Sequence, residues 1–291
     1  MPPGPAPRGK TALSLALGVI SISFAAILIR LTRSPAVAVA AWRMALAGLP
    51  LLLFSAWRRS IRAGRGDLLL SLLAGAFLAL HFSLWISSLR YTTVASSVVL
   101  VTTNPLFVGL FSAFLGERPS RRLWEGIILS TAGAMLIGWG DFALGGRALW
   151  GDVLALLGAM MASGYLLVGR RVRRKLGLFP YISLAYGTAG ALLLLFVALV
   201  PGSDPLPIRG DWPWIVLLAL GPQLLGHTSL NWALRFLPAA AVALAILGEP
   251  LLSSLWAYII FGEGIGPLQG AGFVLVLCGI ARGLGAEPGV T

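Results

Sequence analysis

His81-Phe82-Ser83-Leu84-Trp85 and His227-Thr228-Ser229-Leu230-Asn231 open two stretches that carry the same signposts in the same order. After His81, Ser83 and Leu84 the first stretch sets out Arg90, Ala95, Pro105, Gly116, Glu117, Gly126 and Gly133. The second answers with His227, Ser229, Leu230, Arg235, Ala240, Pro250, Gly262, Glu263, Gly272 and Gly279. The spacing is 145 or 146 residues throughout, half of a 291-residue chain. Self-similarity at a fixed period marks a duplicated unit. Here the unit is hydrophobic along its whole length, which points to membrane transport.

Composition sets the solvent. Hydrophobic residues make up 58% of the chain and charged residues 11%, against about 25% charged in a soluble domain; the mean hydropathy is +0.90. A bilayer can hold that much apolar side chain and a soluble core cannot. The net charge of +12 would suit nucleic acid only if the basic residues lined one surface with a recognition motif. They sit instead in the gaps between apolar runs, so nucleic-acid binding is excluded. A single cysteine, Cys278, rules out a disulfide framework within the chain.

A spanning helix takes about 20 apolar residues. Ten candidates emerge, at about 11–29, 35–57, 67–89, 92–115, 122–140, 151–169, 179–200, 212–234, 238–261 and 265–284. The run Thr11–Ile29 is 19 uncharged residues, longer than the ~7–15 of a signal-peptide core, so it reads as the first span. Pro35, Pro180, Pro213 and Pro238 mark helix starts, where a missing N–H costs nothing. The short gaps leave no room for a soluble domain, and the 201–211 segment reads as an extramembrane turn.

Lys and Arg placement orients the chain. With the N-terminus inside, Arg8, Lys10, Arg58, Arg59, Arg62, Arg65, Arg118, Arg121, Arg122, the run Arg170–Lys175, Arg235 and Arg282 fall on the cytoplasmic side. The opposite face keeps Arg30, Arg33, Arg90, Arg147 and Arg209. Both termini are therefore expected in the cytoplasm. Each half holds five spans, an odd number, so equivalent helices run in opposite directions. The match extends to Gly18, Ser23 and Arg30 with Gly158, Ser163 and Arg170, and to Pro35 with Pro180. The expected fold is an all-α integral membrane protein of ten transmembrane helices in two inverted five-helix repeats, 11–140 and 151–284. Secondary transporters are built this way, with the binding site near the midplane between the repeats.

The Asn104-Pro105 and Glu249-Pro250 turns, and the Gly116-Glu117 and Gly262-Glu263 ends followed by Gly at helical spacing, resemble the EamA branch of the drug/metabolite transporter superfamily. The resemblance covers about residues 11–284. It implies export of small metabolites, often amino acids, across a bacterial inner membrane, and within the branch the overall impression is of a bacterial amino-acid exporter. The acid before the second proline has an Asn in its place before the first, which leaves its role open.

Polar groups at bilayer depth are costly and usually face an interior cavity. Asn104 and Glu249 lie about eleven residues into their spans, each before a proline that frees backbone carbonyls; each reads as substrate contact or as the polar partner of a packing kink. His81 and His227 fall on oppositely directed helices, on either side of the midplane, and neutral histidine can bond a substrate or carry a proton. No second ligand stands at i+3 or i+4 from either, so no metal site is expected. Trp85 and Asn231, at i+4 from the two histidines, share their helix faces. Pro222 breaks the eighth span, and Gln223, His227 and Asn231 form an i, i+4, i+8 ridge expected to line the cavity. Arg43 reads as a snorkelling or ion-paired arginine or as a carboxylate-binding group. Tyr165 and Tyr258 read as cavity wall or as packing. Glu117 and Glu263, at span ends on opposite sides, read as loop pins or as gating groups, and Gly126, Gly133, Gly272 and Gly279 as packing faces.

The chain is thus expected to be a secondary transporter of small metabolites, most plausibly amino acids with apolar or aromatic side chains. It would work by alternating access, as a monomer in the bilayer and without a cofactor. Export of organic cations in exchange for protons is the competing expectation, with Glu249 and aromatic walls holding the cation. No His-Glu-x-x-His, Gly-x-Ser-x-Gly or paired-carboxylate motif appears, so enzymatic activity is not expected.

Overall fold

In a bilayer core no water is available to satisfy backbone N–H and C=O groups, so a spanning segment must bond within itself. In the computed structural model every regular element among the described residues is helical. These are residues 8–58, 60, 61, 63–92, 94–139, 146–199, 204, 206–285 and 287. Met1 and the proline-rich residues after it, Arg59, Arg62 and most of the start of the 201–211 turn lie outside them.

The elements are α1 (Arg8–Ser23), α2 (Ala25–Arg30), α3 (Ala36–Trp57), α4 (Arg65–Ser88), α5 (Val94–Val101), α6 (Asn104–Phe114), α7 (Arg121–Gly138), α8 (Gly146–Arg173) and α9 (Leu178–Leu199). After a 3-10 turn (Arg209–Asp211) come α10 (Trp212–Leu218), a π-helical segment (Ala219–His227), α11 (Thr228–Ala233), α12 (Ala239–Ile246), α13 (Glu249–Phe261) and α14 (Pro267–Leu284). Among the described residues eight helical segments are long and apolar enough to cross a bilayer. Two of the ten expected spans are not among them. α7 carries Arg121, Arg122 and Glu125 near its start, and the 212–234 run is divided among α10, the π segment and α11.

Each expected kink has a local cause. α5 ends at Val101 and α6 restarts at Asn104, just before Pro105. α12 ends at Ile246 and α13 restarts at Glu249, just before Pro250. Proline has no N–H to give to the preceding turn, so the helix is interrupted there. Pro222 has a different outcome: the chain widens into i→i+5 turns from Ala219 to His227, a form that often marks functional sites.

The helices pack in pairs drawn from the two halves of the chain: α7 on α14, α3 on α9, α4 on α8, α6 on α12, and α1 on the π segment and α11. Small residues make the closest of these contacts. A Cβ on Gly126 would stand 2.6 Å from the Gly279 carbonyl oxygen, and one on Gly133 2.7 Å from that of Gly272. The pairing runs in opposite sequence directions, so α7 and α14 are antiparallel. The Ser130 hydroxyl, between the two contacts, donates to the Val276 carbonyl at 3.2 Å. In the same way a Cβ on Gly190 of α9 would lie 2.9 Å from the Ala45 Cα of α3.

Beside the start of α10, Asp211 accepts from the N–H groups of Arg33 and Ser34 at 2.8 and 2.7 Å and from the Ser34 hydroxyl at 2.5 Å. Desolvation pushes its carboxyl up, but these donors outweigh it and hold the group below the usual carboxylate range. A lowered folded-state value means that the joint contributes its full stability above the ordinary carboxylate range. It loses that contribution as pH falls through the lowered value.

The α7–α14 seam generates a test. Gly279→Leu must push two backbones apart and is expected to cost about 1–3 kcal/mol, lowering the melting temperature in detergent. Gly270→Leu, on the same helix where a Cβ meets nothing within 4 Å, is expected to melt like the parent.

Candidate transport cavity

The interrupted helices meet around one chamber. Arg43 reaches it from α3, His81 and Trp85 from α4, Asn104 from the start of α6, and Tyr165 from α8. His227 comes from the end of the π segment, Asn231 from α11 and Glu249 from the first residue of α13. Thr102 adds a hydroxyl-bearing side chain and apolar side chains fill the rest of the wall, Leu78, Phe82 and Leu166 among them. About 50 Å³ is open to the centres of water-sized molecules, room for a few waters.

Arg43 is fully buried. It neither snorkels nor pairs with an acid: no carboxylate oxygen among the described residues lies within ion-pair distance of it. Its Nε donates to Gln223 Oε1 at 3.3 Å, and its guanidinium lies 4.1 Å from the Phe82 ring centroid. Both terminal nitrogens, Nη1 and Nη2, are buried without a hydrogen-bond partner in the protein. Trp85 Nε1, Asn104 Oδ1 and Asn231 Oδ1 are in the same condition. Buried polar atoms are nearly always bonded, so unpartnered donors and acceptors on residues that line one chamber mark it as a place for a guest.

The remaining polar groups hold the wall in shape. His81 Nδ1 is 2.9 Å from the Gly158 carbonyl; a carbonyl only accepts, so Nδ1 carries the hydrogen and Nε2 of the neutral ring is left as an acceptor. Phe82 lies between the two histidines, its centroid 4.7 Å from that of His81 and 5.5 Å from that of His227. Asn231 Nδ2 lies 2.5 Å from the Tyr165 hydroxyl, 3.0 Å from that of Tyr186 and 2.8 Å from the His227 carbonyl. It thereby ties α8, α9 and α11 together. The Ser163 hydroxyl donates to the Asn104 carbonyl at 3.2 Å, so one carbonyl at the α5–α6 break is satisfied from α8.

Of the ten residues singled out by sequence, the structure gathers eight around the chamber and displaces two. Tyr258 is 52% exposed on the outer surface. The buried face of α13 runs through Glu249, Ser253 and Ala257, and Tyr258 comes about two and a half turns after Glu249, on the opposite side. Gln223 is buried behind the wall, holding Arg43, rather than lining the chamber. The i, i+4, i+8 ridge assumed α-helical turns, and the wider π turns rotate Gln223 out of line with Asn231. Phe82 and Tyr186 were missed. Phe82 stood inside the repeated stretch, where its aromatic ring beside a histidine was the available signal. Tyr186 has no counterpart in the other half, and nothing in the sequence marks it.

The model of the EamA-like transporter family matches residues 9–139 and again 149–282. A protein of Archaeoglobus fulgidus described as an uncharacterized transporter is 25% identical over 94% of this chain and 96% of its own length. The pseudopaline exporter CntI of Pseudomonas aeruginosa is 28% identical over 71% of each chain. A crystal structure with 20% sequence identity superposes with a TM-score of 0.78, covering 95% of this chain and 98% of that one; this likeness is one of fold. With the family model matching most of its length in two copies, this chain belongs to the EamA-like transporter family.

Proposed function

We propose that the protein is a secondary exporter of amino acids, particularly those with apolar or aromatic side chains. It would act by alternating access between two inverted five-helix repeats, 11–140 and 151–284. In this reading the chain crosses a bacterial inner membrane ten times as a monomer, and the Lys and Arg distribution puts both termini in the cytoplasm. The observation that carries the substrate class is the chamber's polar content: Arg43, its terminal nitrogens unpartnered, and the carboxyl group of Glu249 line it together without an ion pair between them. A zwitterion would bring its carboxylate to the unpartnered Arg43 nitrogens and its ammonium to Glu249. The apolar wall takes the side chain.

The helix packing supports the repeats. Exchanging the halves turns the α4–α8 contact into the contact of α1 with the π segment and α11, turns α6–α12 into α5–α13, and maps α3–α9 and α7–α14 onto themselves. Gly126 on Gly279 and Gly133 on Gly272 are one contact seen twice. A chamber this contracted must widen to admit an amino acid, which is the motion alternating access requires. The second reading, exchange of an organic cation for protons, draws on Glu249 facing the aromatic rings of Phe82, Trp85 and Tyr165 in the same chamber.

Two measurements in proteoliposomes test these readings. If Arg43 holds a carboxylate, free amino acids compete for flux and their methyl esters do not. Arg43→Gln is then expected to weaken competition by the free acids about ten- to a hundredfold, the worth of a hydrogen bond to a charged group, while leaving the esters unchanged. Equal competition by acids and esters in the parent protein would remove the amino-acid assignment. For Glu249, Glu249→Gln is expected to abolish uptake driven by a pH gradient while substrate exchange continues, as a group that carries the coupling proton requires. Equal loss of both would make Glu249 a binding or folding group.

A further inference from the structure

We propose that two ion-pair latches, Arg30–Glu263 and Arg170/Arg174–Glu117, close the opposite ends of the chamber and are released in turn during transport. The proposal rests on the inverted-repeat reading above. Glu117 and Glu263 are repeat equivalents 146 residues apart, and Arg30 and Arg170 are equivalents 140 apart. In the folded chain each arginine leaves its own half and pairs with the glutamate of the other: Arg30 with Glu263, Arg170 and Arg174 with Glu117. One contact thus occurs twice with the halves exchanged, and in an inverted repeat its two copies fall on opposite membrane faces.

The latches are mechanically joined to the chamber. α6 begins at Asn104, in the chamber wall, and leads to Glu117; α13 begins at Glu249, in the same wall, and leads to Glu263. Eleven and thirteen residues of helix reach about 16 and 20 Å, roughly from midplane to surface. Each half-helix ends before a glycine in the left-handed region, Gly116 at φ 83° and Gly262 at φ 70°, which turns the chain sharply and presents the glutamate to the other half. Each is therefore a rigid lever with a substrate-facing residue at one end and a latch at the other. A cleft adjoins each latch, about 340 Å³ beside Glu263 and about 330 Å³ beside Glu117. The first runs back along α13 through Ser253 to Pro250, next to Glu249.

The energetics suit a latch rather than a staple. The Arg30 and Glu263 side chains are 43% and 47% exposed, and a pair so placed adds little to folding. Two conformers of similar energy, related by the pseudo-two-fold axis of an inverted repeat, are nonetheless repopulated about two- to fivefold by a bias of that size. The inner latch holds more firmly, since Glu117 has two arginines and Arg170 is only 12% exposed.

The test is sided labelling of a cysteine in the chamber wall, Ala162→Cys in a Cys278→Ser background, with a membrane-impermeant maleimide in right-side-out and inside-out vesicles. Glu263→Gln is expected to raise labelling from the outer face about two- to fivefold. Glu117→Gln is expected to raise it from the inner face, by more. The charge swap Arg30→Glu with Glu263→Arg is expected to return labelling to that of the parent. Neutralised variants that label like the parent from both faces would overturn the latches, as would a correctly inserted swap that labels no more like the parent than its single changes do. Arg118→Cys and Gly264→Cys, beside the two latches, report their faces separately. Labelling of both from one side would sink the inverted-repeat reading, whereas opposite sides with unchanged chamber labelling would sink the latches alone.

Discussion

An arginine enclosed in an apolar helix bundle is costly to bury, and Arg43 stands fully buried in the chamber wall. Bringing a guanidinium out of water is expensive unless its hydrogens and its charge are answered. Gln223 answers one N–H, and the face of Phe82 answers part of the charge by a cation–π contact. The terminal nitrogens stay unanswered. A structural arginine would be expected to find carbonyls, as Arg173 does with Asn231 and Leu176 at the end of α8. Arg43 does not: its two terminal nitrogens find no carbonyl among the described residues.

The chamber exists because three helices do not run straight through it. Proline-directed restarts at Asn104 and Glu249 fall at its wall, and the π turns that contain Pro222 end there at His227. Helix–helix association in lipid has no hydrophobic drive and depends on close packing. The glycine seams of α7 with α14 and α3 with α9 supply that packing away from the chamber. Tightly packed seams and loosened helices are therefore segregated, and it is the loosened helices that reach the chamber wall.

Pairing across the halves has a further consequence. When nearly every strong helix contact joins one half to the other, neither half is an independent body, and a change at one end must be accommodated at the other. A single conformer with ion pairs at both ends is consistent with a contracted chamber that holds only a few waters.

Hydropathy was enough to read a helical membrane protein, because burial in lipid demands apolar runs, and the family model's two matches, over 9–139 and 149–282, agree with the 145- to 146-residue period. The same rules found eight of the chamber residues: a polar side chain at bilayer depth has few places to go but inward. What sequence could not supply was rotation about a helix axis. Tyr258 and Gln223 were assigned by depth and by α-helical spacing. Depth does not fix a face, and the π turns after Ala219 changed the spacing. Phe82 under Arg43, Tyr186 beside Asn231 and the crossed partners of Glu117 and Glu263 were decided only when the halves packed together. Those contacts join residues tens to hundreds of positions apart, and no local rule records which helix will lie against which.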